Sequence, residues 1–187
     1  MARSIYITSA EGDTGKSTIA LGVLDLLTRS VQRVGVFRPV ARSTDQRDYV
    51  LELLLAHDGV DLSYQDCVGV TYDEVHADPE AALSRIVSRY HEVERQCDAV
   101  VIVGTDYTDV AGPTELSYNA RIAVNLGAPV LLVVRGSGRR LDEVAPGRRV
   151  ARRHVRHDGC VDDLPFETPV GFADGLLREA VLGSLRS

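Results

Sequence analysis

The feature that most constrains this chain is an apolar run followed at once by "SAEGDTGKST", residues 9–18, and then by a helical pattern. Residues 4–10, "SIYITSA", are rich in β-branched and aromatic side chains and read as a buried strand. Residues 15–30 carry Ile19, Leu21, Val23, Leu24, Leu26 and Leu27 at helical spacing. Between them, Gly12 and Gly15 let backbone N–H groups turn inward around an anion. The first turn of the helix adds unpaired N–H groups and the positive end of its dipole. Strand, glycine-bearing turn and helix together form the context in which "GKST" reads as the end of a phosphate-binding loop. The bland alternative is a glycine-containing turn with a capping serine.

On the loop reading, Gly12, Asp13, Thr14, Gly15, Lys16, Ser17 and Thr18 are the nucleotide-binding candidates. Lys16 reaches for the β- and γ-phosphates, the Ser17 hydroxyl for Mg²⁺, and Thr18 for the α-phosphate. The usual pattern has glycine five places before Gly15, where this chain has Ala10. Lys16 is also the only lysine among 21 Lys+Arg residues. A compact ammonium on a flexible stem can follow a phosphate as an arginine fork cannot.

Further apolar runs set the fold class. "VGVFRPV" (34–40) is a second buried strand, ended by Pro39; "RDYVLELLLAHDG" (47–59) is a helix stopped by Gly59. "CVGVTYDEVHAD" (67–78) is expected to be mostly loop with a short strand. Asp78 and Pro79 mark a helix start, and the pattern runs to about Gln96. "CDAVVIVG" (97–104) is a buried strand. "GPTELSYNARIAVNLG" (112–127) is a helix opened by Pro113 and closed by Gly127, and "APVLLVVRG" (128–136) is a strand. Four convincing apolar strands alternating with helices predict a parallel α/β sheet with both faces covered.

Composition narrows function. The chain has 187 residues, 44% hydrophobic and 26% charged, as in an ordinary globular domain. No apolar run approaches a membrane span and no signal-peptide core is present, so a cytoplasmic protein with no membrane partner is expected. A net charge of −6 argues against a nucleic-acid partner. Cys67, Cys97 and Cys160 form no metal-type pair and read as reduced thiols. Residues 138–187 form an arginine-rich tail without a convincing strand; a short amphipathic helix is conceivable over 172–187.

The loop resembles that of dethiobiotin synthetases, G-T-D-T-x-x-G-K-T, with Ser9, Ala10, Glu11 and Gly12 in the first four places. Glu11 stands where other subgroups carry a second lysine. "VGVFRPVARS" (34–43) is similar to that family's "YKPVASG", which places its substrate-contacting lysine on Arg38. "DQRD" (45–48) lies where the family has a metal-binding aspartate, so Asp45 and Asp48 are candidates. The family's "VEGAGG" falls on "VIVGTDYTDV": Val103 takes the place of a Mg²⁺-binding glutamate, and Asp106 is the candidate substitute. The resemblance implies a three-layer α/β/α P-loop NTPase-like fold.

Over residues 4–137 the chain is also very similar to the N-terminal region of actinobacterial phosphate acetyltransferases. This resemblance implies a regulatory and assembly domain of a homo-oligomeric enzyme, responding to a nucleotide or metabolite effector, with ATP or another nucleotide as ligand and Mg²⁺ as companion. Acetyl transfer between acetyl-CoA and phosphate belongs there to a C-terminal domain that these residues are not expected to contain. Two other readings stay open: an active ATP-dependent ligase of the dethiobiotin synthetase type, and a non-catalytic interaction module with a vestigial loop. Of the remaining residues, His76 reads as a surface or capping histidine, and Tyr107 and Thr108 as site-lining. Thr114 and Glu115 read as caps. Asn119 lies in the same helix start, and Tyr118 and Arg121 face a helix or a partner. No residue is assigned a catalytic role.

Overall fold

A computed structural model describes residues 3–9, 12, 14–43, 46–105 and 114–134. Five strands, β1 (Arg3–Ser9), β2 (Val34–Ala41), β3 (Val68–Thr71), β4 (Ala99–Val103) and β5 (Val130–Val133), form one sheet in the order β3-β2-β4-β1-β5. All pairings are parallel, with Ile5 opposite Val101 and Tyr6 opposite both Ile102 and Val130. The helices are α1 (Lys16–Thr28), α2 (Tyr49–Leu55), α3 (Tyr72–Ala77), α4 (Pro79–Glu94) and α5 (Thr114–Asn125).

The period-two alternation of strand side chains separates two cores. Ile5, Ile7, Val36, Val101 and Val103 pack under α1 and α2, with Ala20, Val23, Leu24, Leu27, Leu51 and Leu54. Tyr6, Phe37, Val100 and Ile102 pack on the other face, with Ile86, Tyr90, Ile122 and Ala123 from α4 and α5. Helices on both faces of a parallel sheet give the expected three-layer α/β architecture, and continuous burial of β2 and β4 explains their unbroken apolar sequences. Among the described residues no helix is long and apolar enough to cross a membrane.

Three expectations need correction. Pro39 does not end β2, which continues to Ala41. The Arg38 N–H bonds the carbonyl of Cys67, the residue before β3, so the next nitrogen faces β4, whose pairing with β2 stops at Phe37. A proline there removes no ladder bond. The helix of residues 47–59 is shorter, because Asp48 is its N-cap and the turn after Leu55 is closed by His57 N–H to the Leu54 carbonyl.

Residues 67–78 hold a strand and a full helical turn rather than mostly loop. The Thr71 hydroxyl accepts the Glu74 N–H, while the Glu74 carboxylate accepts the Thr71 N–H at 2.7 Å. This capping box starts α3 without an apolar period to announce it. His76 is exposed in its last turn and meets the Tyr72 ring edge-on, with ring centres 4.4 Å apart.

The same N–H of Thr71, then its hydroxyl, then Arg85 and Arg89 hold the Glu74 carboxyl below its ordinary 4.5. A carboxyl with a depressed folded pKa stabilises the fold above its ordinary pKa, and that contribution is lost as pH falls through the folded value. Glu74→Gln is therefore expected to flatten the acid limb of stability. Urea midpoints measured from neutral pH down through the carboxylate range check this; parallel limbs for variant and parent would refute it.

Cys67 and Cys97 are free and buried. Burial pushes the Cys67 thiol up to about 12 and raises Cys97 as well, so both stay protonated. The side chains of Tyr118 and Arg121 face α4: the tyrosine hydroxyl donates to the Pro79 carbonyl, and Arg121 bonds both oxygens of Glu80.

Candidate functional site

The carboxyl end of β1 feeds the loop into α1. Gly15 has φ +81°, a left-handed conformation in which any side chain is strained. It is the residue before the helix, and as glycine it brings no side chain of its own to cap the first helical N–H groups. Lys16 follows as the first helical residue, held there by the apolar face of Ala20, Val23 and Leu27. Its side chain is buried, and Nζ donates to the Gly104 carbonyl at 2.6 Å. Gly12, Thr14 and Ser17 are half-buried around it, whereas Gly15 and Thr18 are exposed.

The Gly104 carbonyl has a second cationic donor. Arg38, on β2 and only 2% exposed, reaches it with Nη1 and bonds the Val103 carbonyl at 3.0 Å. Arg38 Nε forms a buried ion pair with Asp48 at 3.0 Å. The other oxygen of Asp48 accepts the Leu51 N–H as the cap of α2, and the Asp48 N–H donates to the Tyr64 hydroxyl. Arg38 thus ties β2, β4 and the start of α2 beside the loop lysine.

On the opposite face, the Asn119 amide of α5 is buried. Its Oδ1 accepts the Tyr6 hydroxyl at 2.7 Å and the Thr105 N–H at 3.1 Å, and its Nδ2 donates to the Thr105 hydroxyl. A Cβ on Gly104 would lie 2.4 Å from Asn119 Oδ1 and 2.8 Å from the Tyr6 ring. Three buried hydroxyls of this region, on Thr8, Ser9 and Thr14, have no hydrogen-bond partner. Such groups are costly unless something bonds them.

Of the candidates from sequence, Gly12, Thr14, Gly15, Lys16 and Ser17 come together with Arg38 and Asp48 at the carboxyl ends of β1, β2 and β4. Parallel α/β sheets bind ligands at that end. Asp13, Asp45 and Asp106 lie outside the described residues, as do Tyr107, Thr108 and the tail from residue 135. The backbone of Thr114 and Glu115 opens α5. Magnesium asks for several oxygen donors in near-octahedral array. Ser17 brings one hydroxyl, Val103 is apolar, and the Asp48 carboxylate is engaged with Arg38 and a backbone N–H. Among the described residues no three His, Cys, Asp or Glu side chains gather to hold a metal. These residues fit a phosphate and do not by themselves fit Mg²⁺.

Sequence reading passed over Asn119, Tyr6 and Thr105 as site residues. A signal existed: Asn119 shares a helical face with Ile122, Ala123 and Leu126, and a polar side chain on an apolar stripe needs a buried partner. A separate groove of about 670 Å³ runs along edge strand β3. Arg89 lies across it, donating to the Gln65 and Val68 carbonyls, which blunts the edge against strand pairing.

The profile of a family described as an AAA domain (AAA_26) matches residues 3–161. A phosphate acetyltransferase of Nitratidesulfovibrio vulgaris is 36% identical over 143 residues, which cover 73% of this chain and 20% of that protein. A phosphate acetyltransferase of Synechocystis sp. is 28% identical over 145 residues, 74% of this chain and 21% of that protein. The chain thus spans about a fifth of the length of these curated relatives. A solved structure described as the BceF tyrosine kinase domain superposes with a TM-score of 0.53 at 16% identity, covering 84% of this chain and 65% of its own. That likeness concerns the fold.

Proposed function

This chain belongs to the AAA domain (AAA_26) family, and on that footing we propose that it is a nucleotide-binding regulatory and assembly domain of a phosphate acetyltransferase. The observation that carries the nucleotide reading is the loop itself. A left-handed Gly15 opens the helix beside a buried Lys16, and buried hydroxyls at the end of β1 and in the loop lack a partner. Phosphate oxygens supply the acceptors that such donors want. The regulatory reading is supported by Val103 in the place of a metal-binding acid. The relatives named phosphate acetyltransferase point to the parent enzyme, in which the acetyl-transfer step belongs to another part of the longer chain. ATP or a related nucleotide is the ligand of choice, and a homo-oligomer of the full enzyme is the setting.

The test is thermal unfolding and calorimetry of the purified chain with ATP, ADP and NADH, with and without Mg²⁺. A nucleotide at about 100 times its Kd should stabilise the fold by about 2.7 kcal/mol, a shift of several degrees in Tm. Lys16→Ala, compared with its own ligand-free Tm, should abolish that shift. Absence of any shift with the parent would leave an interaction module with an idle loop. Turnover of ATP at about 1 per second or more would instead favour the ligase reading.

A further inference from the structure

The peptide joining Gly104 to Thr105 is held from two sides of the sheet. From the α1 side, Lys16 and Arg38 donate to the Gly104 carbonyl. From the α5 side, Asn119 bonds both the N–H and the hydroxyl of Thr105, while the Gly104 N–H donates to the Ile7 carbonyl at 2.8 Å. The two donors converging on Asn119 Oδ1, from Tyr6 and Thr105, fix which way the amide points. Packing alone does not require an amide on this face, where Ala120, Ile122 and Ala123 are its neighbours in sequence. Burying an amide is unfavourable unless its bonds are made. Here they are made to the peptide whose carbonyl receives the loop lysine.

We propose that Asn119 is a positioning residue of the phosphate site: acting through Thr105 and Gly104, it fixes the carbonyl that anchors Lys16 and so sets where that ammonium meets a phosphate. The inference rests on the nucleotide-binding reading above. Held by that carbonyl, the ammonium stands where a phosphate at the loop meets it, so a displaced carbonyl misplaces the lysine and lowers the affinity. Tyr6 acts one step further out, by orienting the amide. Asn119 does not touch the ligand in this arrangement.

The chain's single lysine makes the test specific. In the full chain grown with ¹³C,¹⁵N-lysine, the side-chain resonances report Lys16 alone. ATP is the probe. Asn119→Leu keeps the bulk and removes the bonds to Tyr6 and Thr105, and Tyr6→Phe removes one hydroxyl. Asn119→Leu is expected to move the ligand-free Lys16 resonance and to weaken ATP binding about tenfold. Tyr6→Phe should move both in the same sense by less. If Asn119→Leu does not fold, Tyr6→Phe decides. Lys16 resonances and ATP affinities that stay at parent values in the folded variants overturn the proposal. A parent chain whose Lys16 resonance ignores ATP removes the nucleotide reading instead. In that case the ligand-free resonances still judge whether Asn119 places the lysine.

Discussion

Arg38→Met is expected to lower folding stability by about 3–5 kcal/mol, because it strands the Asp48 carboxylate in the interior without its ion-pair partner. Both side chains of the pair are almost fully enclosed, at 2% and 5% exposure, so solvent does little to screen the loss. The guanidinium also bonds the Val103 and Gly104 carbonyls; both lose that donor, and Gly104 keeps the one from Lys16. The double variant Arg38→Met with Asp48→Asn should recover a large part of the loss. Asparagine removes the stranded charge while still capping α2, since it is among the best N-cap residues. Urea unfolding of the parent, the two single variants and the double variant measures the coupling. A single-variant loss below about 1 kcal/mol would mean that the pair behaves like an exposed one.

Gly104→Ala is the second large effect. Its new methyl would stand 2.4 Å from Asn119 Oδ1, 2.8 Å from the Tyr6 ring and 3.1 Å from the Thr8 hydroxyl. None of these can swing aside freely, because Asn119 and Tyr6 are buried and bonded to each other. The expected cost is about 3 kcal/mol, at the upper end for overpacking, together with weaker nucleotide binding through the displaced carbonyl. Thermal unfolding and an ATP titration of the same sample check the two halves. A variant as stable as the parent would mean that β4 shifts to admit the methyl.

Much of the architecture was legible because its signals are local. The strand–loop–helix of residues 4–30 carries apolar periodicity on both sides of its glycines, and α1 falls within it while β1 starts one residue earlier, at Arg3. The cap at Asp78 was readable from the Asp-Pro pair, and its carboxylate does accept from Glu80 and Ala81 N–H. The helical turn at residues 72–77 was not, because a single turn held by a capping box has no apolar period. The end of β2 was misjudged because proline's effect depends on which neighbour its nitrogen faces, and that is a property of the sheet.

The site divides along the same line. The sequence by itself determined the strand, glycine-bearing turn and helix that carry the candidate phosphate loop, since their signals lie within a few residues of one another. Only the tertiary structure decided what surrounds it. Lys16 meets a carbonyl 88 residues away. Arg38, expected to contact a ligand, is enclosed with Asp48 and the end of β4. Asn119 reaches Tyr6 across 113 residues. The sheet order places β4 between β1 and β2, and that placement brings these side chains to one peptide. Spacing along a chain carries no information about such contacts, because they form only when crossover helices return distant strands to neighbouring positions.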